Sequence, residues 1–509
     1  AIKKAIQNAD HQEIILIAGK GHEESQIYKN KIINISDKRV VKKIKLKTKV
    51  ISNKNKNFSQ NKAILSQILG KKITINFHGL STDTRKIKKD NLFVAIKGKK
   101  FDGNKFIKNA LKKGAGCVIC SSNGKQNIKK VIRVKAPSNF LNNFAKHKRE
   151  ITSAKIIAIT GSAGKTSLKN LIKNIIKDFG KTYSSPRSFN NHLGVPISLS
   201  NLSYEDRFGV FEVGMSKAGE IKKLTNLVKP YIAVITNIGE AHIENFKNIN
   251  GIAKAKAEII DNVTAQGTII LNRDDKFFNY FSKKAKLRGI KISTFGVNKK
   301  SDICLKKIVK KGATSKISVK INNKTTTLTI GDLNINNVLS TVAVLKELNI
   351  DISKIKNNFK YFQSPKGRGR KHYINRYKKK FKLIDESYNS NPLSANVAIN
   401  KISLIKKEKF KKYLILGDML ELGSRSKKYH IELFKVINNS DIDKVFIKGK
   451  ETIFAYKHLN KEKRGNILQH IEDIDLSLSK MISNNDYLMI KGSNATGLND
   501  FSKKMIKGT

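Results

Sequence analysis

Tryptophan is absent from this chain of 509 residues, and methionine (5), proline (6) and cysteine (3) are scarce. Acidic residues are few as well, 39 against 102 lysines and arginines, which leaves a formal net charge of +63. Three cysteines, Cys117, Cys120 and Cys304, cannot build a disulfide framework. Cys117 and Cys120 form a C-x-x-C in "GAGCVICSS", yet no second Cys/His pair lies nearby to complete a metal site, so the segment reads as a buried apolar strand. No apolar run approaches the ~20 residues of a membrane-crossing helix. No membrane insertion is expected, and a cytoplasmic protein is. Position 1 is Ala, with no start Met and no signal-peptide pattern, so the chain reads as a piece cut from something longer. The charge would ordinarily suggest nucleic acid. Here Lys, Ile and Asn are abundant along the whole length, so the basic residues read as solvated faces and no specific nucleic acid is expected.

What is present is enough for real cores. Hydrophobic residues make up 39% of the chain, and its length suits three or four domains of about 100–200 residues each. Strand-like and helix-like segments alternate, as in "KIIAIT" then "SLKNLIKNIIKDF" and "YLILGD" then "KKYHIELFKVI". That alternation is the mark of βαβ units and predicts α/β domains with mainly parallel sheets. Residues 42–57, "KKIKLKTKVISNKNKN", are polar and lysine-rich without an amphipathic repeat and read as a linker. A second boundary is expected at "QSPKGRGRKH", where Pro and two Gly interrupt the pattern. No internal repeat is visible.

The segment "IIAITGSAGKTSLKN" carries the first chemistry: an apolar strand, a glycine turn, then Lys-Thr-Ser opening a helix. Gly161 and Gly164 let the backbone turn tightly and aim N–H groups at phosphate oxygens, and the following helix adds its N-terminal dipole. Lys165 would reach the β- and γ-phosphates, and Thr166 would offer its hydroxyl to Mg²⁺. Thr160, Ser162, Ala163 and Ser167 complete the ATP-binding loop. It departs from G-x-x-x-x-G-K-[ST] at the first position, where Ile159 stands. Downstream, Glu212 ends a strand where a carboxylate can reach a metal beside the loop. Asn237 and His242 follow a second apolar strand, and Lys256 lies in the helical "GIAKAKAEII". Singly each has a bland reading; their order does not.

At this point the sequence resembles the Mur ligases, ATP-dependent enzymes that add amino acids to the UDP-muramoyl peptide of the cell-wall precursor. The resemblance rests on "TGSAGKTS", "FNNHLGVP", "FEVGMSKAGEI", "TNIGEAHIENF", "AKAKAEI", "GDLNINNVLSTVAV", "DESYNSNP", "LGDMLELG" and "IKGSNATGL", and runs from about Phe58 to the C-terminus. "STDTRKIKKDNLFVAIKGKKFDGNKFI", "YNSNP" and "GDMLELG" resemble the MurF type within the family. "ILIAGKGHEESQIYKNKIINISD" resembles instead the C-terminal end of the MurE type, with Lys20, Gly21, His22 and Glu23 on its "KGHE".

The resemblance implies a three-domain α/β architecture with a central P-loop ATPase domain and a Rossmann-like C-terminal domain. The expected division is 1–41 as MurE-like remnant, 42–57 as linker, 58–150 as UDP-substrate domain, 151–363 as ATP-binding domain and 364–509 as ligase domain. The implied reaction joins D-alanyl-D-alanine to UDP-N-acetylmuramoyl-tripeptide through an acyl phosphate, for peptidoglycan synthesis, with ATP and Mg²⁺. His242 matches a ligand to a second Mg²⁺, and Lys256 matches a lysine that is carbamylated in relatives. Asn334 and Asn337 match a motif that meets adenine, although Leu333 replaces its usual His. Arg368 matches an arginine facing the ATP phosphates, with Arg370 as a rival. Glu386 stands near the ribose, with Asp385 as the fallback. Thr84, Arg85, Asp102, Gly103 and Asn104 are expected at the UDP end. Asn190, Asn191, Tyr388, Asn389 and Asn391 are expected about the peptide substrates. A monomer that closes over ATP is implied. A basic P-loop nucleic-acid binder and a folyl-polyglutamate synthetase-like ligase remain as alternatives, and the third peptide residue stays open.

Overall fold

In the computed structural model, residues 26–28, 31–33, 53–98, 101–121, 130–312, 314–406 and 409–507 are described. The chain divides into two compact units, Ala1–His78 and Gly79–Thr509. In the first, Gln26–Tyr28 pairs antiparallel with Lys31–Ile33, and a helix spans Asn53–Leu69. Ile64, Leu65 and Phe77 are buried, and the Phe58 ring meets His78 edge-on at 5.4 Å. Residues 53–57 of the expected linker form the start of this helix, and 42–52 lie outside the described residues. Lysine is a good helix former, so a polar stretch with no apolar stripe can still extend a helix whose packing lies further on. The unit boundary also falls after His78, within the stretch 58–150 expected as one domain. Lys20, Gly21, His22 and Glu23 lie outside the described residues.

Three sheets build the second unit. The smallest is parallel and runs Leu80–Ser81, Leu92–Val94, Cys117–Ser121, Val131–Val134. Cys117 and Cys120 are buried in its third strand, and burial pushes the Cys117 thiol up to about 12. The largest sheet has nine strands. Thr182–Ser184, Phe208–Glu212, Lys155–Thr160, Ile232–Ile235, Thr268–Asn272 and Lys291–Gly296 lie parallel, and Ile303–Lys311, Thr314–Ile321 and Lys324–Ile330 extend it as an antiparallel meander. The third sheet has six strands in the order Arg370–Arg376, Lys379–Glu386, Tyr487–Lys491, Lys412–Gly417, Lys444–Lys448, Arg464–Ile467, antiparallel only at the first pair.

The parallel strands are apolar on both faces because helices cover both. Ile156 and Ala158 face one core of the large sheet, Ile157 and Ile159 the other. The helix Lys165–Ile176 covers the second with Leu168, Leu171, Ile172, Ile175 and Ile176, each worth about 1.5–3 kcal/mol on burial. Ligands of such sheets bind beyond the C-terminal strand ends. Thr160, Glu212, Ile235 and Glu386 are all such ends.

Candidate nucleotide and ligase cleft

The strand Lys155–Thr160 passes into its helix through a turn that only glycine permits. Gly161 has φ +143°, and a Cβ there would lie 1.9 Å from Thr236 Oγ1. Gly164, at φ +83°, caps the helix and lies against Asn337. Asn237 braces the turn: its Oδ1 accepts from Ala163 N–H (2.8 Å) and its carbonyl from Ser162 N–H (2.9 Å). Lys165 donates from Nζ to the Gly161 carbonyl at 2.7 Å. Its ammonium is depressed by burial against the opposing pull of Glu212.

Thr166 donates to Glu212 Oε2 at 2.7 Å, and Asn190 Nδ2 donates to Glu212 Oε1 at 2.7 Å. Beneath them the buried Lys169 Nζ lies 3.8 Å from Glu212 Oε2 and donates to the carbonyls of Ser185 (2.7 Å) and Arg187. Burial brings the Lys169 ammonium down to about 8, although Glu212 resists. His242 holds a left-handed backbone (φ +59°), a costly conformation that packing must enforce. Its Nδ1 is 2.7 Å from Glu421 Oε2, a short contact off the axis of a ring hydrogen bond. Lys256 is 1% exposed, and burial followed by repulsion from Lys165 holds its amine well below the usual lysine range. Among the described residues its amine has no hydrogen-bond or ion-pair partner.

The six-stranded sheet supplies the other wall of a cleft of about 1170 Å³. Arg368, Glu386, Tyr388, Asn389, Asn391 and Lys491 line it opposite Ser162, Ala163, Gly164, Lys165, Ser167, Asn190, Asn191, Glu212, His242, Asn334 and Asn337. The Arg368 guanidinium stacks over the Tyr388 ring at 4.3 Å. Asn391 caps the helix Pro392–Ser403 and donates from Nδ2 to the Ser162 carbonyl at 3.2 Å. Asp332, just beyond the large sheet, accepts Lys371 and Lys401 at 2.8 Å each. Of the two open pairs, Arg368 and Glu386 line the cleft, and Arg370 and Asp385 do not. Arg370 turns away to Gln363, and Asp385 is buried among Gly367 N–H, Ser387 Oγ and Ser502 Oγ. Glu386 faces the cleft deeply enough that burial raises its carboxyl against the pull of Lys491.

Other expected residues stand apart or carry structural duties. Thr160 and Thr166 are buried behind the lining, as is Lys256. The Asn334 side-chain oxygen caps the helix Ile335–Glu347, and that of Asn191 accepts from the N–H groups of Leu193 and Gly194 at the start of the helix Gly194–Ser200. Thr84, Arg85, Asp102, Gly103 and Asn104 lie in the short helical turns that connect strands of the small sheet and do not line the cleft. Arg85 folds onto Asp83 (2.9 Å), and Asp102 caps Asn104 N–H (2.9 Å). Gly103 is held by close backbone approach, since a Cβ would lie 2.7 Å from Ile96 N.

Sequence reading missed Lys169, Ser188 and Lys491. Lys491 is 1% exposed, donates to the Asn389 carbonyl at 2.6 Å, and is lowered by burial to about 8. A lysine on the apolar face of a helix, four residues after Lys165, was a usable signal for Lys169; Ser188 offered none.

A hard divalent cation suits oxygen donors, and the Thr166 hydroxyl and Glu212 carboxylate supply them. Among the described residues no three His, Cys, Asp or Glu side chains cluster as a metal site. Further oxygens would come from phosphates and from a carboxylated Lys256, whose buried, unpartnered amine fits that modification.

Three family profiles match the chain. "Mur ligase family, catalytic domain" covers residues 76–152, "Mur ligase middle domain" 159–345 and "Mur ligase, glutamate ligase domain" 369–494. The UDP-N-acetylmuramoyl-tripeptide–D-alanyl-D-alanine ligase of Buchnera aphidicola subsp. Baizongia pistaciae is 33% identical over 446 residues, covering 85% of this chain and 93% of the relative. The enzyme of the same name from Rickettsia prowazekii is 32% identical over 445 residues, covering 86% and 98%. The crystal structure of the MurF ligase from Thermotoga maritima in complex with ADP superposes with a TM-score of 0.72 at 25% identity, covering 84% of this chain and 97% of that one.

Proposed function

Because the chain belongs to the Mur ligase family, we propose that it is an ATP-dependent peptide ligase, of the acid–D-amino-acid class, adding D-alanyl-D-alanine to UDP-N-acetylmuramoyl-tripeptide in peptidoglycan precursor synthesis. The observation that carries this reading is one cleft with a phosphate loop on one wall and the strand ends of the ligase sheet on the other. Neither a nucleic-acid binder nor a folyl-polyglutamate synthetase is favoured, because both relatives above bear the D-alanyl-D-alanine ligase name along nearly their whole length.

Amide formation from a carboxylate needs a better leaving group than hydroxide. Phosphorylation of the tripeptide's terminal carboxylate by ATP supplies one, and the dipeptide amine then displaces phosphate from the acyl carbon. Two anions must meet, and the presence of Lys165 and Arg368 on opposite walls of the cleft supports a role for them in screening that charge. The loop N–H groups of Gly161–Thr166 cradle phosphate. Asn334 and Asn337 border the adenine end and Glu386 the ribose, while Asn190, Asn191, Tyr388, Asn389 and Asn391 border the peptide substrates. Thr84, Arg85, Asp102, Gly103 and Asn104 take the UDP end. Thr166 and Glu212 would hold one Mg²⁺, and His242 with a carbamylated Lys256 a second. Bound there, magnesium neutralises charge on the phosphoryl group in transfer. Burial, and then repulsion from Lys165, favour the free amine of Lys256 over its ammonium, and the free amine is the form that adds to CO₂, which supports the carbamate reading.

A phosphate-release assay tests the whole reading. With ATP and UDP-N-acetylmuramoyl-tripeptide, release should require D-alanyl-D-alanine and follow product formation one for one. Release indifferent to the dipeptide, or none with all three substrates, would refute it.

A further inference from the structure

Ser188 lies where the two walls of the cleft meet. Lys169, donating to the carbonyls of Ser185 and Arg187, fixes the backbone immediately before it. The Ser188 hydroxyl oxygen is 3.1 Å from Tyr388 Oη, 3.3 Å from Arg368 Nη2 and 3.4 Å from Thr166 Oγ1. A serine hydroxyl has one proton to give and two lone pairs to fill. Arginine only donates, so Arg368 takes one lone pair. Thr166 has a single proton, already given to the Glu212 carboxylate, which only accepts. Towards Ser188, Thr166 can therefore only accept. The Ser188 proton is committed to Thr166, and Tyr388 must donate into the second lone pair. Every link has one direction: Tyr388 and Arg368 to Ser188, Ser188 to Thr166, Thr166 to Glu212, with Asn190 closing on the other Glu212 oxygen.

We propose that Ser188 is a positioning residue through which docking of the C-terminal sheet sets the orientation of the Thr166 hydroxyl and the Glu212 carboxylate. This rests on the ligase reading. With the two walls apart, Ser188 loses both donors from the C-terminal side and its hydroxyl is free to turn away from Thr166. Docked, it has one arrangement. ATP can then meet the phosphate loop before the loop is aligned, and alignment follows closure.

The test is a double-mutant cycle on the full chain, reading phosphate release with all three substrates. Tyr388→Phe removes the phenolic proton and keeps the ring beneath Arg368. Each of Ser188→Ala and Tyr388→Phe should lower kcat about three- to tenfold, with the ATP KM within about twofold of wild type because the loop backbone binds the phosphates. The double variant should be no worse than the poorer single variant by more than about twofold, since both cut one chain. Ser188→Thr, which keeps the hydroxyl, should recover at least about half of the wild-type kcat. Losses that multiply in the double variant, a wild-type kcat in Ser188→Ala, or Ser188→Thr as poor as Ser188→Ala would each overturn the proposal. A wild-type chain that releases no phosphate would instead sink the ligase reading, so the two failures are distinguishable.

Discussion

Lys256 and Lys254 differ by two positions on one helix, and burial separates their chemistry. Lys254 is exposed and Lys256 is 1% exposed without a partner. Lys256→Ala is expected to be nearly inactive in phosphate release and partly rescued by a short carboxylic acid that can occupy the vacated volume. Lys254→Ala should shift stability by no more than a few tenths of a kcal/mol and ignore added acid. Equal effects at both positions would withdraw the metal roles given to Lys256 and His242 together. The residues that position and order mark in the sequence, Gly161, Lys165, Glu212, His242 and Lys256, all reach or back the cleft. Lys491 was hidden among 102 basic residues, because nothing local distinguishes a strand-end lysine that folds inward, whereas Lys169 could have been read from its place on the apolar face of the helix after Lys165. Ser188 was illegible for another reason: its partners come from the far side of the cleft.

The helix Lys165–Ile176 carries a buried charge on its packing face, and that has a titration consequence. Lys169 titrates near 8 in the fold, and an unfolded lysine near 10.4. Between those values the unfolded chain holds a proton that the fold has released, so this group makes stability rise with pH, by up to about 1.4 kcal/mol per unit. Below about 8 the charged form is carried by both states and its burial cost is constant. Lys169→Met should therefore gain least, or lose most, relative to the parent at the alkaline end of urea midpoints taken across pH 8–10. A difference independent of pH would show that Lys169 is not depressed. Elements were legible where the period was clear: "KIIAIT" and "YLILGD" are strands Lys155–Thr160 and Lys412–Gly417. The helix start at Asn53 was not, since propensity without an apolar stripe leaves no pattern to read.

Every residue lining the cleft lies within Gly79–Thr509. Removal of residues 1–50 is accordingly expected to leave D-alanyl-D-alanine ligation within a few-fold of the full chain. A truncated protein that is folded by circular dichroism yet inactive would show that the MurE-like segment contributes to the reaction. Alternation of strands and helices made α/β domains with mainly parallel sheets legible from sequence, and the resemblance to the Mur ligases supplied their number. Their docking was not, because contacts such as Asn391 with Ser162 join positions 229 apart and depend on surfaces that only the finished sheets present.

Asp332 gives that docking a kinetic meaning. One carboxylate on the central sheet's side holds two lysines of the C-terminal side at the margin of the cleft, and Lys401 and Lys371 keep it ionised below its ordinary range although burial opposes them. On the ligase reading, this clasp is expected to part before spent nucleotide leaves. All three side chains are about a third or more open to solvent, where dissolved ions weaken attraction. On the ligase reading, added salt is expected to act on turnover in two opposed ways, hastening discharge of ADP while loosening the closed arrangement in which the bond is made, and phosphate release measured across ionic strength should pass through a maximum.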